Sequence, residues 1–198
     1  MFETLVVAAV VLLVAGGIAA AITAVFLHRW RRAVLAGGGF AVHPLAAEQV
    51  DEFLADRGVF AVTATREFTA PAAKVWDALQ LDGGFSWLPL ITGIRYRDGS
   101  RSVGAMRSFD APLFAVQERV VTHTPHTRLT VTGTRISIPV LVSGFAQDYR
   151  LTEHDGRTTL AWTIAVRPRV GGFLPLRWGA PFARPFAAWA IKGLGTRI

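Results

Sequence analysis

Glu67-Phe68-Thr69-Ala70-Pro71-Ala72-Ala73-Lys74-Val75-Trp76-Asp77-Ala78-Leu79 decides the architecture, because two periodicities meet inside it. Upstream, Phe60 to Phe68 alternates. Phe60, Val62, Ala64, Arg66 and Phe68 share one side, and Ala61, Thr63, Thr65 and Glu67 the other, which is the period of a half-buried strand. Downstream, Ala72 to Leu81 carries Val75, Trp76 and Leu79 at helical spacing. Thr69-Ala70-Pro71 starts that helix, since Pro fits the first turn, where the backbone N–H has no intrahelical partner. Asp82-Gly83-Gly84 stops it, and Phe85 to Leu90 reads as a second short helix.

Hairpins follow. Ile94 to Arg97 runs into Asp98-Gly99, a pair suited to a tight turn, and Val103 to Phe109 returns. Ala115–Thr122, Arg128–Ile136, Leu141–Thr152 and Thr158–Val166 continue the pattern, with turns at Thr124-Pro125 and Asp155-Gly156. A closing helix spans about Trp178 to Leu194, in which Pro185 is expected to kink the helix or delay its start. Strands joined by hairpins with helices set apart give the α+β class. A curved sheet has one apolar face to cover, and the last helix is the large element left to cover it.

Outward from this domain, Leu5 to Leu27 contains no charge and no Pro. At 1.5 Å per residue it reaches roughly 34 Å, enough to cross a bilayer core. A cleaved signal peptide would need a basic leader and a shorter apolar run, whereas this chain opens Met1-Phe2-Glu3. The run therefore reads as a retained transmembrane helix after a short tail of residues 1–4. His28-Arg29-Trp30-Arg31-Arg32 follows it directly, which by the positive-inside rule puts the N-terminus outside and the domain in the cytoplasm of a single-pass cell-membrane protein. Residues 28–57 read as a basic flank and linker. Gly37-Gly38-Gly39 is a flexible break, and Pro44 to Asp56 a short acidic helix, a spacer with a solvated face. The domain proper is then 58–198.

Of 21 basic residues only Lys74 and Lys192 are lysine, and they outnumber 14 acids to give a net charge of +7. The arginines are scattered through strands and turns without a nucleic-acid motif, so the charge reads as solubility and attraction to a membrane. With no Cys, thiol chemistry and Cys-based zinc sites are excluded. The five His form no H-E-x-x-H, and neither Gly84-Phe85-Ser86-Trp87 nor Val142-Ser143-Gly144 is a nucleophile elbow. No metal and no cofactor is implied.

The order of elements resembles the helix-grip fold of the START-like superfamily, often labelled SRPBCC or polyketide cyclase/dehydrase-like. Three stretches carry the resemblance: Glu67 to Leu79, then Glu118-Arg119-Val120-Val121 with Pro125 and Leu129, then Gly156-Arg157-Thr158-Thr159-Leu160-Ala161-Trp162. It implies a sheet wrapped around the long C-terminal helix with a cavity between them. It also implies an apolar guest such as a lipid, sterol or polyketide.

Large side chains suited to such a cavity are Trp87, Met106, Phe109, Phe114, Phe145, Tyr149, Trp162, Phe182, Phe186 and Trp189. Trp178, Phe182, Phe186 and Trp189 share one face of the last helix. Periodicity does not separate a lined cavity from a filled core, so both readings stand for these residues. Tyr96, Arg107, Glu118, Gln147 and Tyr149 are the polar groups able to orient a ligand. Glu118 shares strand parity with Val116 and Val120; facing inward, it would form a buried pair with Arg107 or be an acid of raised pKa able to act as a general acid. The alternative is an exposed cross-strand ion pair. The expected function is membrane-anchored binding or transport of a hydrophobic small molecule or lipid, without catalysis. Two alternatives are a cyclase or dehydratase, which needs converging acid–base groups, and a membrane-bound interaction module with a solid interior.

Overall fold

The structure is a computed structural model that describes residues 2–56, 59–88, 91–112, 114–138, 142–169 and 180–198; the side chains of residues 2–12 and 180–182 lie outside that description. The elements run α1 (Phe2–Leu35), α2 (Ala47–Ala55), β1 (Phe60–Phe68), α3 (Ala72–Gln80), β2 (Gly93–Tyr96), β3 (Met106–Asp110), β4 (Ala115–Thr124), β5 (Arg128–Ile136), β6 (Val142–His154), β7 (Arg157–Pro168) and α4 (Ala180–Leu194). The strands form one seven-stranded antiparallel sheet in the order β1-β7-β6-β5-β4-β3-β2. This is the helix-grip arrangement. The segment after Gly83 is a series of turns around a Gly84–Ile94 bridge, not the short helix expected from Phe85 onward.

The concave face carries Ile94, Tyr96, Val120, Leu129, Val131, Leu160 and Trp162, packed with α3 and α4 into the main core. The buried face of α4 is Ala187, Ala190, Ile191 and Leu194. Phe186 and Trp189, on the aromatic face singled out in the sequence, are instead 52% and 45% exposed and meet edge to face. Size explains this: small residues let the helix approach β1 closely, and bulky ones turn outward. Gly193 shows how tight the approach is, because a Cβ there would lie 2.0 Å from the Trp87 ring. Trp87 also donates its ring N–H to Ala190 O at 2.8 Å, pinning α4 to the segment after α3. Pro185 sits inside α4, and the expected start at Trp178 lies outside the described residues.

The convex face is covered by the N-terminal elements. α1 ends on Gly37, whose φ of +81° suits glycine; Gly37 N–H bonds Val34 O and Gly38 N–H bonds Ala33 O, the paired bonds of a Schellman stop. Its last turn lies on the sheet, with Val34 fully buried and Arg31 bound to Asp110. The glycines are followed by an ordered strip. β5 and β6 stay paired only as far as Thr132–Ala146. Beyond that point Ile136 N–H bonds Phe40 O and Val42 N–H bonds Thr134 O, so Phe40–Val42 takes the place β6 has left. α2 then packs Val50 and Phe53 against Ala146 and Ala165. Burying two such side chains contributes about 1.5–3 kcal/mol each. Its acidic face is not merely solvated, since Asp51 bonds both Arg128 and Arg150.

Candidate ligand-binding site on the concave face

Alternation places Arg107, Glu118, Gln147, Tyr149 and Trp162 on one side of four different strands, and the register brings them together. Arg107 faces Tyr96 on β2 and Glu118 on β4; Tyr149 faces Trp162 on β7. The inward reading of Glu118 is the one the structure shows: Arg107 Nε donates to Glu118 Oε2 at 2.6 Å, with both side chains buried. Gln147 donates its amide to the other carboxylate oxygen. Its own carbonyl accepts from Tyr149 Oη at 2.7 Å and from Trp162 Nε1 at 3.0 Å. Flipping that amide would set N–H against N–H, so the network fixes its orientation. Arg107 Nε, the Gln147 amide, Tyr149 Oη and Trp162 Nε1 thus point, directly or through Gln147, to one carboxylate.

Two buried donors stand outside this economy. Arg107 Nη2 and Tyr96 Oη have no hydrogen-bond partner among the described residues, although Arg107 is 2% and Tyr96 7% exposed. A buried unpaired polar group costs about 1–3 kcal/mol. Burial alone would lower the Arg107 pKa, and Glu118 more than reverses this, leaving it raised. Burial, the largest cause, pushes the Tyr149 phenol up. Near neutral pH the first stays charged and the second stays neutral.

Against this network stands an aromatic column. Tyr149 stacks on Trp162 at 5.7 Å, Trp162 on Phe85 at 4.8 Å, and Phe85 tilts against Trp87 at 5.3 Å. The Arg107 guanidinium sits 5.6 Å from the Tyr149 ring centre. Phe85 holds φ +66°, a conformation that an aromatic residue seldom adopts and that costs of order 1–3 kcal/mol. That strain places its ring on Trp162.

A family model described as polyketide cyclase/dehydrase and lipid transport matches residues 59–197. The chain belongs to that family.

Solved structures agree on the fold of this family member. Ara h 8.0201 is 16% identical, with a TM-score of 0.54 over 71% of this chain and 99% of that one. The di-domain ARO/CYC BexL from the BE-7585A biosynthetic pathway is 19% identical, with a TM-score of 0.54 over 75% of this chain and 52% of that one. XoxI from Bacillus cereus is 16% identical, with a TM-score of 0.52 over 69% and 93%. No curated protein sequence matches.

The remaining residues singled out in the sequence are spread around this centre. Met106 lies on the other face of β3, beside Leu35. Phe109 and Phe114 pack ring to ring, 5.8 Å apart, at the far end of β3 and β4. Phe145 belongs to a separate cluster with Val116, Ile136 and Val142, its ring seated over Gly133. The Phe182 side chain lies outside the described residues. Three hollows of about 410, 600 and 170 Å³ lie at the Pro71 end of β1, beside α2 and beside Leu35. Phe85 escaped the sequence reading because a turn residue has no periodicity to follow. Among the described residues no group of three metal-ligating side chains comes together.

Proposed function

We propose that this family member is a membrane-anchored, non-catalytic binder of a hydrophobic molecule or lipid. The ligand's apolar body enters between the sheet and α4 by displacing side chains that otherwise pack there, and an acceptor oxygen reaches Arg107 Nη2 and Tyr96 Oη. Residues 58–198 form the binding unit, Leu5–Leu27 the anchor and 28–57 the connection. Trp87, Phe109, Phe114, Phe145, Tyr149, Trp162, Phe186 and Trp189 are candidates to line the guest's path.

The observation that carries the reading is that two buried donors beside this network, Arg107 Nη2 and Tyr96 Oη, have no partner among the described residues. A lone donor is retained in a core for a reason, and an oxygen on a greasy ligand supplies one. The network also favours holding over reacting. Glu118 is engaged by two donors, Arg107 stays charged and Tyr149 stays neutral, so neither of the latter exchanges protons near neutral pH. For the anchor, α1 holds a helix long and apolar enough to cross a membrane, and Leu13, Ile18 and Phe26 are exposed within Leu5–Leu27. The basic flank after Leu27 supports an external N-terminus and a cytoplasmic domain.

The test is to purify the full chain from membranes, extract it and identify co-purifying lipids by mass spectrometry. The same protein is then titrated with a fluorescent fatty acid. Retained lipid and saturable binding, both reduced in Arg107→Met, support the reading. No retained lipid together with no binding removes it.

A further inference from the structure

The two ends of the sheet differ in chemistry, and α1 leaves from one of them. The end holding the β2–β3, β4–β5 and β6–β7 turns carries Asp98-Gly99-Ser100, Thr124-Pro125-His126-Thr127 and His154-Asp155-Gly156, all exposed. Val103 is the exposed apolar exception there. At the opposite end β3 turns into β4 through Ala111, Pro112 and Phe114, and β5 ends at Ile136, followed by Ser137 and Ile138. Pro112 is exposed, and Phe114 and Ile138 are half-buried.

The direction of α1 links this second end to the anchor. Leu35 lies beside Met106 at the start of β3, and Arg31, one turn earlier, grips Asp110 at its finish. Following α1 back toward its apolar span therefore follows β3 toward the Pro112 turn. Arg31 is four residues beyond Leu27, which places Asp110 roughly 6 Å along the helix axis from the end of the apolar run. The polar layer on each side of a bilayer core is about 5–8 Å thick. A turn projecting past Asp110 thus falls within that layer. The exposed flank residues Arg29 and Arg32 stand at the same level, which suits anionic headgroups.

We infer that the Pro112 and Ile138 end of the sheet is seated in the bilayer interface, so that the domain meets the membrane with its strand ends rather than hanging from a leash. This rests on the reading of α1 as a membrane anchor. The orientation would let an apolar guest pass between lipid and protein without crossing water.

The chain has no Cys, so single cysteines can be introduced and labelled with an environment-sensitive fluorophore. Ile18→Cys reports the anchor, Pro112→Cys and Ile138→Cys the proposed interface, and Asp155→Cys the far end. The labelled full-length protein is reconstituted into phosphatidylcholine/phosphatidylglycerol vesicles with lipids carrying quenchers at shallow or deep positions. The expected result is loss of fluorescence at Ile18 with the deep quencher, loss at Pro112 and Ile138 with the shallow one, and none at Asp155. Quenching at Ile18 without any at Pro112 and Ile138 overturns the inference and leaves the anchor standing. Absence of quenching at Ile18 overturns the anchor, and the inference with it. Two interface positions are used so that one badly folded variant does not decide the result.

Discussion

Arg31 and Asp110 meet in a two-pronged ion pair, with contacts of 2.5 and 2.8 Å, across 79 positions of sequence. The pair joins the end of the apolar helix to the third strand and is the main polar tie between α1 and the sheet. Its loss would free the last turn of α1 while leaving the main core intact.

Burial alone would raise the Asp110 carboxyl, and the Arg31 guanidinium overturns that, holding it below the ordinary carboxylate range. A depressed folded pKa means that the pair stabilises docking fully above about pH 4, the unfolded value. The contribution is lost as pH falls through the lower folded value. Asp110→Asn should raise amide exchange over Val34–Val42 about fivefold at neutral pH, the effect of roughly 1 kcal/mol. The difference between variant and parent should vanish in acid. Hydrogen exchange on the detergent-solubilised chain measures both.

Glu118 neutralises Arg107 and accepts from Gln147, so Glu118→Ala leaves a buried cation and a buried amide donor unpaired. A loss of about 3–5 kcal/mol is expected from breaking such a pair on one side. The double variant Arg107→Met, Glu118→Leu removes both charges and should recover most of it. Unfolding followed by tryptophan fluorescence gives the comparison; additive losses would mean the two are not coupled.

Tyr96 Oη has no partner among the described residues, so Tyr96→Phe should leave thermal stability unchanged or slightly higher. If that hydroxyl donates to the ligand, affinity should fall about tenfold, or roughly 1.4 kcal/mol. Because Arg107 and Tyr149 are both shifted upward, affinity should stay flat from about pH 6 to 9. A sigmoidal change within that window would point to a different titrating group.

Gly193→Ala drives a methyl group into the Trp87 ring and should destabilise by about 1–3 kcal/mol, as overpacking does. Trp87→Leu in the same background should relieve the clash while losing the hydrogen bond to Ala190 O. Thermal melts of the two single variants and the double would show a double variant milder than the sum.

Much of the fold was legible because its elements are long and periodic. Arg128–Ile136 was read to the residue, whereas parity left Glu118 open between a buried pair and an exposed one, and the structure decides for the buried pair. The site was harder, for identifiable reasons. Phe85 lies in a turn at positive φ, where side-chain direction follows no period. On α4, volume suggested that Phe186 and Trp189 face the core, but a closely packed helix turns its alanines inward. The buried face of α2 is only Val50 and Phe53, too few apolar positions in sequence to distinguish a bound helix from a solvated one. The departure of β6 from β5 has no sequence signature, so the role of Phe40–Val42 could be read only from the assembled sheet.

That short strip has a practical consequence for anyone trimming the chain to a soluble fragment. Starting at Val59 would remove both Phe40–Val42 and α2. The Thr134 carbonyl and Ile136 N–H would then open in mid-sheet, and Ala146 and Ala165 would lose their cover. An unzipped ladder of this kind is a template for a strand from another molecule. Such a fragment should elute as dimers or larger species in size-exclusion chromatography, whereas one starting near Ala36 should remain monomeric.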